Sequence, residues 1–141
     1  MILPDVNVLL YAFRRDADRH ADYHAWLTEV VNGDAAYGMS TQALAALVRI
    51  STHPRIYREP STREEALGFC RAVLEPEACT IIRPGARHWP IFVELADRAK
   101  AAGNLIQDAW FAALAIESGC EWISTDQDYG RFPDLRWRPP F

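Results

Sequence analysis

The chain has 141 residues, half of them hydrophobic, which is enough for one substantial core and too little for two ordinary domains. With 15 basic and 19 acidic residues its formal charge is -4, so the broad basic field of many nucleic-acid binders is absent. No run of about 18 apolar residues is present, and Met1 leads straight into Ile2-Leu3-Pro4-Asp5 without a basic, cleavable leader, so the expected location is the cytoplasm. Cys70, Cys79 and Cys120 are odd in number and scattered, which reads as buried free thiols rather than a zinc or redox motif. All basic residues but Lys100 are arginine, the side chain better shaped for phosphate, a bias that codon usage also explains.

In chain order, Ile2 and Leu3 predict a very short first strand, and the spacing of Val8, Leu9, Leu10, Ala12 and Phe13 a helix. A second helix is expected over 17–31, stopped by Asn32-Gly33-Asp34, and a strand over 35–39. Ser40 caps a helix running through Ile50, and 53–60 reads as a loop. Ser61 with Glu64 forms an expected capping box for a helix whose buried side is Leu67, Phe69, Cys70, Val73 and Leu74. Thr80-Ile81-Ile82 is the third strand. Helices follow over 89–101 and 106–118, the latter ended by Gly119. A fourth strand is expected over 121–125 and a fifth over 135–137. Strands alternating with crossover-length helices specify an α/β fold with a mainly parallel sheet of four or five strands, as a single domain over 1–141. In such sheets ligands bind beyond the carboxyl ends of the strands.

That rule singles out Asp5, immediately after the first strand, and Asp126, immediately after the fourth. Either also suits helix capping. Asp108 opens the run Ala109-Trp110-Phe111-Ala112-Ala113-Leu114-Ala115-Ile116, apolar all round and therefore a buried helix, whose alanines permit close approach to the sheet. A carboxylate placed in its first turn gains from the helix dipole, yet arginines are scarce between Lys100 and Arg131, and a shared divalent cation is the natural partner. Clustered carboxylates raise one another's pKa unless a cation neutralises them, and oxygen-only ligands select Mg²⁺ or Mn²⁺. Such an ion activates water against a phosphodiester. Asn7 and Asp128, two residues beyond Asp5 and Asp126, and the Thr125 hydroxyl are candidates to orient ligands or water, with turn or cap roles open for Asn7 and Thr125.

Asp5-Val6-Asn7-Val8-Leu9-Leu10-Tyr11-Ala12, then Asn104-Leu105-Ile106-Gln107-Asp108-Ala109, then Ser124-Thr125-Asp126-Gln127-Asp128-Tyr129 resemble the successive motifs of PIN-domain proteins, and within them the VapC toxins of toxin-antitoxin pairs. The resemblance spans essentially the whole chain, including Arg49-Ile50-Ser51-Thr52-His53-Pro54. It implies a PIN-like three-layer α/β/α sandwich and an endoribonuclease dependent on Mg²⁺ or Mn²⁺ that cuts structured RNA such as tRNA or rRNA. It also implies a homodimer neutralised by a cognate VapB-type antitoxin. Carried over by position, the metal-binding acids are Asp5, Asp108 and Asp126, with Asp128 as a supporting acid. The sequence departs from the family where Ser40 is followed six residues later by Ala46 instead of the usual glutamate. Asp128, or less readily Gln42 on the same helix, would have to make good the missing oxygen. The alternative reading is a catalytically silent PIN-fold module that binds RNA or antitoxin.

His20 and His24 stand four apart on the second expected helix but lack a third ligand, so packing or surface roles are expected. No Ser/His/Asp arrangement involves His53 or His88. The acids do not match the fixed positions of a phosphatase or receiver domain. Trp89, Trp110, Phe111 and the other aromatics at helical spacing are expected to be mostly core, and Arg14, Arg15, Arg49, Arg55 and Arg58 are surface arginines with RNA contact as an option.

Overall fold

A computed structural model describes residues 1–141. Five strands form one sheet: β1 Ile2–Pro4, β2 Tyr37–Met39, β3 Cys79–Ile81, β4 Glu121–Ile123 and β5 Trp137–Arg138. The order is β3-β2-β1-β4-β5 and every pairing is parallel, with Leu3 opposite Trp122 and Gly38 opposite Thr80. The strands are shorter than the hydrophobic runs that mark them. The expected strand over 121–125 stops at Ile123, and those over 80–82 and 135–137 shift by one or two residues.

Six α-helices connect them: α1 Val6–Phe13, α2 His20–Asn32, α3 Thr41–Ser51, α4 Arg63–Leu74, α5 His88–Arg98 and α6 Asn104–Ser118. Right-handed crossovers place α1 to α4, which lead outward from β1 to β3, on one face, and α5 and α6, which lead back across to β4, on the other. The result is the expected α/β/α sandwich. Its core is one continuous cluster centred on Leu3, Tyr37, Met39, Phe111, Leu114, Trp122 and Tyr129.

Local chemistry explains the helix ends. Ser40 caps α3 by accepting from the Ala43 amide at 3.3 Å. The expected capping box of Ser61 with Glu64 is replaced by a cap at Thr62, one residue later, whose hydroxyl accepts from the Glu65 amide at 3.1 Å and donates to the Glu65 carboxylate at 2.9 Å. The inward face of α4 is Ala66, Cys70 and Val73 with Phe69 and Leu74 at its edges, and Leu67, expected to be buried, is 46% exposed. Trp89 is the other expected core residue on the surface, at 64% exposure. Gly103, at φ 58° and ψ -130°, turns the chain into α6 through a region that side chains avoid, and Gly119 ends the helix in the left-handed conformation at φ 70°. Ala109, Ala112, Ala113 and Ala115 are wholly buried, as their small size and position suggest.

Candidate active site

β1 lies at the centre of the sheet, and the chain leaves it toward β2 on one side but has β4 on the other. This is a topological switch point, where the connections diverge and leave a crevice at the carboxyl edge. Asp5 and Asp126 follow the two strands that flank it. Asp5 caps α1, and its Oδ1 accepts from the Val6 amide at 2.7 Å. Asp126 caps a short 3-10 helix, Gln127–Arg131, and its Oδ1 accepts from the Asp128 amide at 2.9 Å. Capping occupies one oxygen of each carboxylate; the second accepts from Ser124 in Asp5 and makes no hydrogen bond within the protein in Asp126.

Asp108 reaches the same edge from the opposite direction. Because α6 must deliver the chain to the start of β4, its early turns lie at the carboxyl ends of the strands. The helix begins at Asn104 instead of Ile106, so Asp108 occupies its second turn and not its first, where no acid is found. The dipole explanation for a carboxylate there is correspondingly weakened, since the effect fades within a turn.

A cleft of about 260 Å³ is lined by Asp5, Asp108 and Asp126 together with Asn7, Ala46, Arg49, Gln107 and Tyr129. Carboxylate oxygens of Asp108, Asp126 and Asp128 lie within 4.8 Å of one another, and no other trio of His, Cys, Asp or Glu gathers in this way. Asp5 lies deeper and stands outside that trio. Burial, opposed by its hydrogen bonds from Ser124 and Val6 but reinforced by the charges of Asp108 and Asp126, pushes its pKa up to about 6. Asp108 is also raised to about 6, by burial first and then by repulsion from Asp126 and Asp128. Of the four acids only Asp128 has a cation within ion-pair range, the exposed Arg131 at 3.7 Å. No ion pair therefore offsets the charge of Asp5, Asp108 and Asp126.

The residue that organises the cluster is Ser124, to which the sequence reading assigned no role. Its wholly buried hydroxyl donates to Asp5 Oδ2 at 2.6 Å and accepts from Asn7 Nδ2 at 3.1 Å and the Asp126 amide at 3.0 Å. One donor and two acceptor sites are all a hydroxyl has, and all are used. Asn7 is thereby fixed with its Oδ1 buried and unpartnered. Thr125, the neighbour singled out from sequence, is outside the cleft lining. Gln42 is exposed and also outside it, whereas Ala46 is part of the wall, so a methyl group stands where an acid would extend into the site. The Tyr129 phenol, buried against Asp5 and Asp108, is held far above its ordinary pKa, by burial first and then by those charges, and stays neutral.

His20 and His24 are elsewhere. Their rings are 5.5 Å apart, His20 Nδ1 pairs with the Tyr11 carbonyl at 2.9 Å, and both line a larger concavity of about 670 Å³ at the end of α1. All three cysteines are free.

With this fold and this acid-lined cleft, comparison with known proteins assigns the class: residues 2–135 match the PIN domain, and the chain belongs to the PIN-domain family. Within that family it is 41% identical over 140 residues to the VapC ribonuclease Mb2897 of Mycobacterium bovis and equally to ribonuclease VapC43 of Mycobacterium tuberculosis, covering 99% of this chain and 95% of each relative. Its fold is similar to that of a chain in the crystal structure of VapBC2 from Rickettsia felis bound to a promoter DNA fragment. The TM-score is 0.71 and the identity 20%, with 99% of this chain and 98% of that one covered. No helix is long and apolar enough to cross a membrane.

Proposed function

We propose that this chain is a VapC-type toxin, an endoribonuclease that cleaves structured RNA such as tRNA or rRNA with Mg²⁺ or Mn²⁺ and is neutralised by a VapB-type antitoxin. The observation that carries the reading is the convergence of Asp5, Asp108 and Asp126, from three distant parts of a PIN-family chain, on one cleft at the switch point. Full-length similarity to proteins named VapC ribonucleases supports it. The single sheet and continuous core support one domain over 1–141, and the three free thiols suit a reducing cytoplasm. A homodimer is the assembly we expect.

The residues fit a hard divalent cation: the donors are all oxygen, their charges repel one another, and Asn7 Oδ1 is a buried acceptor still without a partner. Asp108, Asp126 and Asp128 would hold it, with Asp5 as the inner acid. When bound, the cation would neutralise the carboxylates, lower the pKa of water and polarise the phosphodiester. Ser124 fixes Asp5 and, through the Asp126 amide and Asn7, keeps both strand ends in register with it. In the hydrolysis, a water oxygen bonds to phosphorus, the bond from phosphorus to one ribose oxygen breaks, and that oxygen leaves with a proton.

The test is incubation of purified protein with tRNA and rRNA in Mn²⁺, Mg²⁺ or EDTA. Discrete cleavage products that require metal are expected. Ala46 in the cleft wall favours a second reading, a binding module without turnover. Tight RNA or antitoxin binding with no product under any metal would select that reading.

A further inference from the structure

Arg49 is the one cation in the wall of the acid cleft. Arg49 is exposed and, like eight other arginines, makes no ion pair, but it alone of these lines the cleft that holds three carboxylates. Its place in the last turn of α3 suits the helix dipole but does not account for its position on the wall of this cleft. The residue one turn earlier on the same wall is Ala46. Positions three apart on a helix are neighbours, so an acid at 46 would capture Arg49 as an ion pair, whereas a methyl group leaves it open.

A phosphodiester has two non-bridging oxygens. A divalent cation held by the acids would serve some of the negative charge on these oxygens, and what remains calls for a donor that does not itself compete for the acids. A planar guanidinium is suited to it, and its charge also opposes the negative charge that grows on phosphorus during attack. We propose that Arg49 binds the scissile phosphate of the RNA, and that Ala46 keeps it available to do so. This inference rests on the ribonuclease reading and adds a substrate-binding residue to it.

The experiment measures binding of a short fluorescently labelled single-stranded RNA in EDTA at several salt concentrations, together with Mn²⁺-dependent cleavage and thermal melting, for the wild type, Arg49→Ala, Arg49→Lys, Ala46→Glu and the double variant Ala46→Glu/Arg49→Ala. Arg49→Ala is expected to weaken RNA binding roughly tenfold and to reduce the salt slope by about 0.7, the share of one phosphate contact on a single strand, with melting unchanged. Arg49→Lys is expected to fall between wild type and Arg49→Ala. Ala46→Glu is expected to weaken RNA binding on its own, with a smaller further loss when Arg49 is already alanine, because part of its effect is the captured guanidinium. Wild-type affinity and salt slope in Arg49→Ala, while the wild type cleaves RNA, would overturn the role of Arg49 alone. A wild type that neither binds nor cleaves RNA would overturn the ribonuclease reading, and this inference with it.

Discussion

Two concavities on the same protein treat charge in opposite ways. The larger, at the end of α1, is lined by Arg14, Arg15, Asp16, His20, His24, Glu59 and Glu65, yet its central charge is fully partnered. The half-turned chain after α1 lets the Arg14 guanidinium reach Asp16, the Glu59 carbonyl at 2.9 Å and the Ser61 hydroxyl at 3.0 Å while lying 3.9 Å over the Tyr57 ring. The smaller cleft holds Asp5 and Asp108 with raised pKa values and no cation bonded to them. Volume does not mark the chemistry here. Charge that the fold gathers without ion pairs does, because strongly perturbed carboxylates in a cleft cluster at functional sites.

Variants in the two regions should therefore separate activity from stability. The largest effect is expected in the cleft. Asp108→Asn should lower the rate of RNA cleavage by about a hundredfold or more, the scale seen when a transition-state charge partner is removed, while the metal-free protein melts no lower than wild type because repulsion is relieved. Kinetics and thermal melting on the same preparation check both halves. In the other concavity, Arg14→Ala should destabilise the fold by about 2–4 kcal/mol, since it unties 59–61 from α1, and leave cleavage by the folded fraction intact. Urea unfolding measures the first and active-fraction kinetics the second.

Ser124→Ala lies between these cases. It strands Asp5 Oδ2, Asn7 Nδ2 and the Asp126 amide together, so a loss of about 2 kcal/mol in urea unfolding is expected along with slower cleavage. The smallest effect is a pH trend. Folded Asp5 holds its proton to about 6 while the unfolded chain releases it near 3.8. Metal-free stability from this group is thus fully present below the unfolded value and is lost as pH rises through about 6. Thermal melting across that interval should show the decline in wild type and a flatter trend in Asp5→Asn, and Mn²⁺ should reverse the decline near neutral pH.

The acids at strand ends were legible because capping and parallel topology both leave a mark in sequence: a short apolar run followed by Asp identifies Asp5 and Asp126. Asp108 was legible as a charge beside an apolar helix, but its turn was misplaced, since the start at Asn104 is set by the backbone of Gly103 and not by hydrophobic spacing. Ser124 left no such mark. A serine at the end of a strand looks like any small polar residue, and its importance comes from three partners up to 119 positions away. The cap at Thr62 and the exposure of Leu67 show the same limit on a smaller scale: Ala66 takes the core position beside Cys70 and Val73, and a leucine next to it is left outside. Likewise, the α1 concavity depends on how the segment between α3 and α4 folds back onto Arg14, which periodicity does not encode.

The most direct measurement is calorimetric titration of Mn²⁺ into the wild type and Asp108→Asn at neutral pH. Saturable binding by the folded wild type, abolished or weakened at least tenfold in the folded variant, is the expected result. Indistinguishable binding in the two proteins, or none in the wild type, would contradict the assignment of the switch-point carboxylates as a cation site.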